Sequence, residues 1–274
     1  MRGVLRLFVI ATRYGLIEHA RNRFAMLLVA LFIPAWVSLV RLAISDDPVR
    51  FRLQATGGVL VANGNQITQI TGALNAVTLI VGFMMFAATF SSGAFDRRLS
   101  MAGYHRVPLG LAKVACLALS AAAVAVYATV VICLQWSPRQ PVLLAAALFC
   151  AATTYGALGV ALGTLLRREV EGMFAIVMIS VIDLALQNPI ASTGANDGIV
   201  RWLPSYGAMQ ASVAASFSAS TPLGYFAVQL AWFAGSALVG LLAFRRRTRS
   251  ALPGDTRLLR RVPGRRAPAR AGER

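Results

Sequence analysis

Charged side chains are scarce in this chain of 274 residues, of which only 14% are Asp, Glu, Lys or Arg. Soluble domains usually contain about a quarter, whereas hydrophobic residues here make up 57% of the sequence. The apolar residues gather in long blocks that a globular core of this size does not need. The composition therefore excludes an ordinary soluble domain and predicts a chain embedded in a bilayer.

Histidine and cysteine are also rare, which limits the chemistry that the chain can perform. A lone histidine outside the apolar blocks is usually solvated, and this applies to His19 and His105. The three cysteines are Cys116, Cys133 and Cys150. We expect them to pack inside helices, because their spacing matches no metal site or disulfide framework. We therefore expect no catalytic residue, no bound cofactor and no metal site in this chain.

Six apolar blocks reach the roughly 20 residues that a helix needs to cross the hydrocarbon layer. They lack the alternation of barrel strands, which favours an all-α membrane protein. Pro34 should kink the first span, with a neighbouring helix satisfying the freed carbonyl. A leader (1–23) and a basic, disordered tail (245–274) flank the six-span region 24–244, whose predicted spans are 24–40, 67–90, 109–136, 141–166, 170–190 and 221–244.

The distribution of basic residues predicts the orientation of the spans. Of the 27 Lys and Arg residues, 22 fall in the leader, the tail and the even-numbered connections. Short basic segments stay in the cytoplasm, so both ends are predicted to be cytoplasmic. The net charge of +17 then faces anionic lipid headgroups rather than nucleic acid. The Arg and Ala bias suggests a bacterium, and hence its plasma membrane.

The leader carries a helical charge pattern. Arg2, Arg6 and Arg13 fall on one face at 100° per residue, while Leu7 and Phe8 face away. This predicts an amphipathic helix lying in the headgroup plane. A basic, partly disordered leader is the alternative, since the pattern weakens after Tyr14.

Small and weakly polar residues form two stripes at intervals of three and four. Such faces allow close helix packing, and this is the interpretation for Gly82 and for Ala152, Gly156, Gly159 and Gly163. The other positions of the first stripe are Thr71, Asn75 and Thr78. They also suit a substrate path, because the Asn75 amide offers hydrogen-bond donors and acceptors that are scarce in the spans. The sequence leaves both interpretations open.

Asp183 is the carboxylate that lies well inside a predicted span. Ionisable residues in hydrocarbon are costly and are often functional. Because Gln187, Asn188 and Pro189 follow, the carboxylate is expected either to reach interfacial water or to act as a proton relay.

The connection between the second and third spans carries a family signal. Phe95 and Leu99 share a helix face near Asp96, Arg97 and Arg98, which predicts a short amphipathic helix. This acidic-basic cluster, the following Leu, the breaks at Gly103 and Pro108 and the Lys113 of the next span resemble the permease subunit of type-two ABC exporters. Asp96 replaces the commoner Glu, and Gly103-Tyr104 replaces a Pro-containing turn.

The resemblance implies an architecture and a set of partners. In that family this segment is a coupling helix that docks on an ATPase, and the outer segment before the last span (191–220 here) forms re-entrant helices. The implied assembly has two permease subunits, identical or homologous, and two ATPase subunits that bind ATP and Mg. The implied coupling residues are Asp96, Arg97, Arg98, Leu99, Gly103, Tyr104 and Arg106.

Other classes fit the sequence less well. The single lysine, Lys113, follows Ala112 and precedes Val114, so the chain has no P-loop and is expected not to be an enzyme. A secondary transporter of a hydrophobic solute is the alternative function, although it requires coupling groups or broken helices near the midplane. An intramembrane enzyme would need clustered catalytic groups. The cargo and the role of the basic tail stay undetermined.

Overall fold

The structure is a computed structural model that describes residues 2–101, 106–188 and 198–249. It is predominantly helical, with α1 (Arg2–Arg21), α2 (Arg23–Leu27), α3 (Ile33–Ala43), α4 (Gly64–Met101), α5 (Arg106–Gln135), α6 (Pro141–Leu165), α7 (Glu169–Gln187), α8 (Tyr206–Phe217) and α9 (Leu223–Arg249). Two strands, β1 (Pro48–Leu53) and β2 (Gly58–Asn63), precede α4.

Within the described residues, five helices are long and apolar enough to cross a membrane. They are Ala25–Ala43, Gly64–Gly93, Pro108–Gln135, Pro141–Leu165 and Leu223–Arg246. These helices agree with five of the six predicted spans to within a few residues. The remaining prediction, 170–190, falls on α7, a helix of 19 residues that is not among the five and that carries Glu169, Glu171 and Asp183.

The first span is interrupted by a π-helical turn at Leu28–Phe32, which ends two residues before Pro34. Proline has no backbone N–H and its ring collides with the carbonyl four residues earlier, so an ordinary helix cannot continue through it. That carbonyl belongs to Ala30, and its oxygen accepts a hydrogen bond from Tyr127 Oη of α5 at 3.1 Å. A neighbouring helix therefore satisfies the carbonyl that the proline frees.

The β-hairpin was not predicted from the sequence. Its strands pair antiparallel, with Phe51 opposite Leu60, and Gly57 has the positive φ of 68° that the turn requires. One face is buried through Phe51, Leu53 and Ala62, and Ala55 N donates to Gln210 Oε1 of α8 at 3.1 Å. The hairpin thus covers one end of the helical bundle, which we name the hairpin end.

The opposite end, which we name the α1 end, collects α1, the end of α4, the start of α5 and the end of α9. Gly15 of α1 packs against Cys116 of α5, and Cys116 Sγ lies 3.5 Å from the Thr12 carbonyl oxygen. Lys113 Nζ lies 5.8 Å from the centroid of the Phe244 ring of α9. The leader is therefore a helix held against the bundle.

Helix α6 lies at the centre of the bundle, where α4, α5, α8 and α9 all contact it. Burial differs strongly among the spans. In the most apolar stretch of α4, 67% of the residues are buried, whereas the figure is 22% in the first and last spans. Those two spans expose leucines such as Leu31 and Leu238. Such apolar surface requires lipid or another membrane subunit around it.

Three further expectations are corrected. Residues 91–101 continue α4 and do not form a separate short helix, because no proline interrupts them. Helix α9 runs to Arg249, so the start of the predicted disordered tail is helical, while 250–274 lie outside the described residues. Cys133 is exposed rather than packed, because it lies on the outward face of α5.

Tyr127→Phe tests the role of the hydrogen bond to the first span. The Ala30 carbonyl would lose its partner in α5, and we expect a loss of about 1 kcal/mol, typical of an interhelical hydrogen bond in membranes. Thermal unfolding in detergent should therefore begin at a lower temperature. Tyr14→Phe is the control because Tyr14 is 67% exposed; an equal loss in both variants would contradict the assignment.

Candidate functional site

A buried carboxylate, Asp183, lies at the centre of a polar cluster between α6, α7 and the start of α8. Its side chain is 1% exposed and accepts hydrogen bonds from Tyr155 Oη of α6, from Gln187 Nε2 and from the Ser205 backbone N–H at 3.0 Å. Gln187 Nε2 also donates to Ser205 Oγ at 2.9 Å. The expectation that Asp183 reaches interfacial water is therefore wrong, because protein donors surround the carboxylate.

Gln229 of α9 forms a second buried cluster beside the start of α8. Its Nε2 donates to Thr154 Oγ1 at 2.7 Å and to the Pro204 carbonyl oxygen at 2.9 Å, while its Oε1 accepts from Ala208 N at 3.0 Å. The first N–H groups of a helix have no partner within the helix. Asp183 and Gln229 supply such partners around the N-terminus of α8 and fix it against α6, α7 and α9.

Helix α8 is consequently a short helix enclosed by the bundle. Eleven of its twelve residues, from Tyr206 to Ser216, are buried. Gly207 permits the approach to α9, since an added Cβ would collide with the Tyr225 carbonyl oxygen. The expected re-entrant segment 191–220 thus contains a 3-10 turn (Gly198–Trp202) and this enclosed helix, while 191–197 lie outside the described residues.

Of the predicted substrate-path residues on α4, Thr71 and Thr78 are buried and Asn75 is half-buried. Ser180 Oγ of α7 donates to Asn75 Oδ1 at 2.9 Å and lies 3.0 Å from Thr78 Oγ1. Thr71 Oγ1 donates to the Ile67 carbonyl oxygen at 2.9 Å within α4. In this conformation Asn75 Oδ1 and Thr78 Oγ1 are used in a contact with α7, and a path along these two oxygens would require α7 to move.

The small residues bring the backbones of α4 and α6 into contact. A Cβ on Gly159 would collide with the Gly82 carbonyl oxygen, and one on Gly163 would lie 3.0 Å from the Phe86 carbonyl oxygen. A Cβ on Gly156 would collide with the Leu117 side chain of α5, and Ala152 is fully buried. Spans cannot associate through hydrophobic burial in lipid, so such close packing is the main attraction between them.

The predicted coupling residues lie around the α1 end. On the last turns of α4, Phe95 is 61% exposed, Arg98 is exposed and Leu99 is half-buried. Asp96 and Arg97 lie on the same turns, and Arg106 begins α5, although their side chains are not described. Gly103 and Tyr104 lie outside the described residues.

A cavity of about 570 Å³ lies at the α1 end between α1, α4 and α5. Its lining is mainly apolar and includes Phe95 and Leu99 of the predicted coupling segment, with Glu18, His19 and Lys113 among its polar members. Burial lowers the pKa of the His19 imidazole below its usual value, so this side chain is neutral at pH 7. The cavity was not foreseen from the sequence, because it depends on how α1 packs.

Compared with known proteins, the chain matches no protein-family model and no curated protein. Within the described ranges, no cluster of three or more His, Cys, Asp or Glu side chains is arranged to hold a metal. The features available for function are the enclosed polar clusters, the α4 extension and the cavity beneath α1.

Sequence reasoning missed Tyr155, Ser205 and Gln229. Gln229 carried a usable signal, because it is an amide in the middle of the last apolar block and such a group needs a partner in lipid. Tyr155 sits among small residues of α6 and Ser205 in a loop, so nothing in their local sequence indicated that they would meet Asp183.

Gly159→Ala tests the contact between α4 and α6. The added methyl group would push against the Gly82 backbone, which cannot rotate away as a side chain can, and we expect destabilisation of about 1–3 kcal/mol. Gly235→Ala is the matched control in α9, where an added Cβ meets open space. Thermal unfolding in detergent compares the two; a Gly159→Ala variant as stable as Gly235→Ala would refute the close contact.

Asp183→Asn tests the buried carboxylate. The new amide N–H₂ would face donors from Gln187 or Ser205, leaving buried donors unpaired at a cost of about 1–3 kcal/mol. We expect a lower unfolding temperature and faster proteolysis around α8. Asp46→Asn serves as the control because Asp46 is exposed. Unchanged stability and protection in Asp183→Asn would show that the cluster does not hold α8.

Proposed function

We propose that this chain is the membrane-spanning permease subunit of an ATP-driven ABC exporter, working with a separate ATPase. The observation that carries the proposal is the extension of α4. This helix continues from its apolar stretch, Gly64–Gly93, to Met101, and it presents Phe95 and Arg98 to solvent. An exposed aromatic side chain beside arginines is suited to binding a protein partner. The end of α4 also has the same place in the chain as the coupling segment of the type-two ABC exporter permeases that the sequence resembles.

The proposal includes α7 as the sixth span. Its 19 residues extend over about 28 Å at 1.5 Å per residue, close to the hydrocarbon thickness of about 30 Å. Asp183 does not oppose this placement, since protein donors hold its carboxylate. Six spans put both ends of the chain on one side, and the bias of basic residues makes that side, the α1 end, cytoplasmic. Anionic lipids of the bacterial plasma membrane would face these residues.

The α1 helix supports the same orientation. Leu5 and Val9 are exposed apolar side chains that share one face of α1, a helix that packs through Gly15 on α5. An exposed apolar strip beside arginines is typical of a helix lying in the headgroup layer. In this arrangement α1 lies flat in the cytoplasmic interface beside the end of α4.

In the proposed mechanism, ATP binding by two partner subunits moves the ends of α4 and α5. Because α4 contacts α6 through Gly82 and Gly159, and contacts α7 through Thr78, its motion is transmitted to both helices. Two permease subunits, identical or homologous, enclose the path, which opens toward the hairpin end. ATP and Mg bind to the partner, and the cargo is a hydrophobic or amphipathic compound that enters from the lipid.

One observation favours the second candidate, an ion-coupled transporter of a hydrophobic solute. Asp183 is a buried carboxylate whose described contacts include no cationic side chain, and such groups serve proton coupling in some carriers. The exporter proposal ranks first because α4 extends well beyond its apolar stretch, a feature that ion coupling does not require.

The test reconstitutes the chain with the P-loop ATPase that co-purifies with it from its native membrane. Replacing Asp96, Arg97 and Arg98 with alanine should reduce ATP-dependent efflux at least tenfold, the change expected when about 1.4 kcal/mol or more of coupling contact is lost. Membrane insertion and ATP hydrolysis should remain. Retained coupled efflux, or transport by the chain alone on an ion gradient, would contradict the proposal.

The matched control removes the same kind of side chain at the other end of the molecule. Arg50 and Arg52 are exposed on the hairpin, so their joint replacement by alanine should leave efflux unchanged. An equal loss in this variant would show that the effect reflects general charge and not coupling.

A further inference from the structure

We propose that the cavity beneath α1 binds one zwitterionic aminophospholipid, with its phosphate at Lys113 and its ammonium at Glu18. The cavity volume of about 570 Å³ is within the roughly 300–1,000 Å³ of ordinary ligand sites. The site is a property of this chain alone and does not depend on the proposed ATPase.

The charges of the cavity are arranged along its depth. Lys113 is half-buried, and its Nζ donates to Ser92 Oγ of α4 at 3.2 Å, which places the ammonium on the inner side. Glu18 is exposed on α1 and therefore lies toward the mouth. A phospholipid has the same order, with the phosphate nearer the acyl chains and the amine nearer the water.

The remaining lining suits the apolar part of a lipid. The cavity is also walled by apolar side chains such as Ile10, Met85 and Leu109. A second cavity of about 110 Å³, lined mainly by apolar residues of α5, α6 and α9, shares Thr89 and Lys113 with the first. The apolar lining of both cavities can therefore contact the acyl chains near Lys113.

The balance of charge selects the head group. With the His19 imidazole mainly neutral at pH 7, the described part of the lining contributes one charge of each sign, at Lys113 and Glu18. A purely anionic lipid would be attracted to the Lys113 ammonium and repelled by the Glu18 carboxylate, and a cationic amphiphile would experience the reverse. A head group with both a phosphate and an ammonium can pair with both side chains, and the N–H groups of a primary amine can donate to the Glu18 carboxylate.

The experiment measures lipid retention on the purified full-length chain. The protein in detergent is titrated with phosphatidylethanolamine, phosphatidylglycerol or phosphatidylcholine, and bound lipid is counted by native mass spectrometry. We expect saturable binding of a single phosphatidylethanolamine in preference to both others. Glu18→Gln should reduce the preference for phosphatidylethanolamine over phosphatidylglycerol about fivefold, as expected for loss of one partly screened ion pair.

Further variants separate the site from general effects. Ala88→Phe should fill the cavity and lower the retention of all three lipids, whereas Lys113→Gln should weaken phosphatidylethanolamine and phosphatidylglycerol together. Glu171→Gln is the matched control, because Glu171 is an exposed carboxylate of α7 outside the cavity lining. It should bind lipid as the unaltered chain does. Size-exclusion profiles establish that each variant is folded.

The proposal is overturned by any of three results. These are equal retention of phosphatidylethanolamine and phosphatidylglycerol by the unaltered chain, an unchanged preference in Glu18→Gln, or uptake without saturation, which would indicate lipid around the whole helix bundle. Glu18 is exposed on α1, so its substitution leaves the packing intact and keeps the comparison decisive. No ATPase is present in these assays, so their result stands apart from the test of export.

Discussion

The contact between α4 and α6 is the constraint on which the rest of the bundle depends. In lipid, apolar side chains gain little by leaving the surrounding chains, so helices associate through close packing and a few polar contacts. Glycines at 82 and 159 let the two backbones touch, and this places α6 at the centre of the fold. The other helices are then arranged around that pair, with α5, α8 and α9 against α6 and α7 against α4.

The same absence of water explains the polar clusters. A buried polar group with no partner costs free energy, and hydrocarbon offers none. Asp183 and Gln229 are therefore placed where the open N–H groups of α8 meet them. The N–H groups at the start of α8 gain hydrogen-bond acceptors inside the bundle, and the Asp183 carboxylate gains hydrogen-bond donors. Tyr127 satisfies the Ala30 carbonyl by the same logic, at the site of Pro34.

Much of the fold could be predicted from the sequence because lipid imposes a simple rule on length and polarity. The rule located five helices that can cross a membrane, and Pro34 indicated where the first would depart from regular geometry. The hairpin was missed although Val49, Phe51 and Leu53 alternate with arginines, because a short strand is recognisable only beside its partner. The cavity and the Asp183 cluster depend on side chains far apart in sequence, which a pattern within one segment cannot bring together.

The continuity of α4 has a mechanical consequence. The helix is a rod of 38 residues, about 57 Å long, and Gly82, where it presses on α6, lies almost at its midpoint. A rod that pivots there behaves as a lever with equal arms. A tilt of about 10° would carry each tip by about 5 Å in opposite directions, so a push on one surface of the membrane would become an equal and opposite displacement on the other.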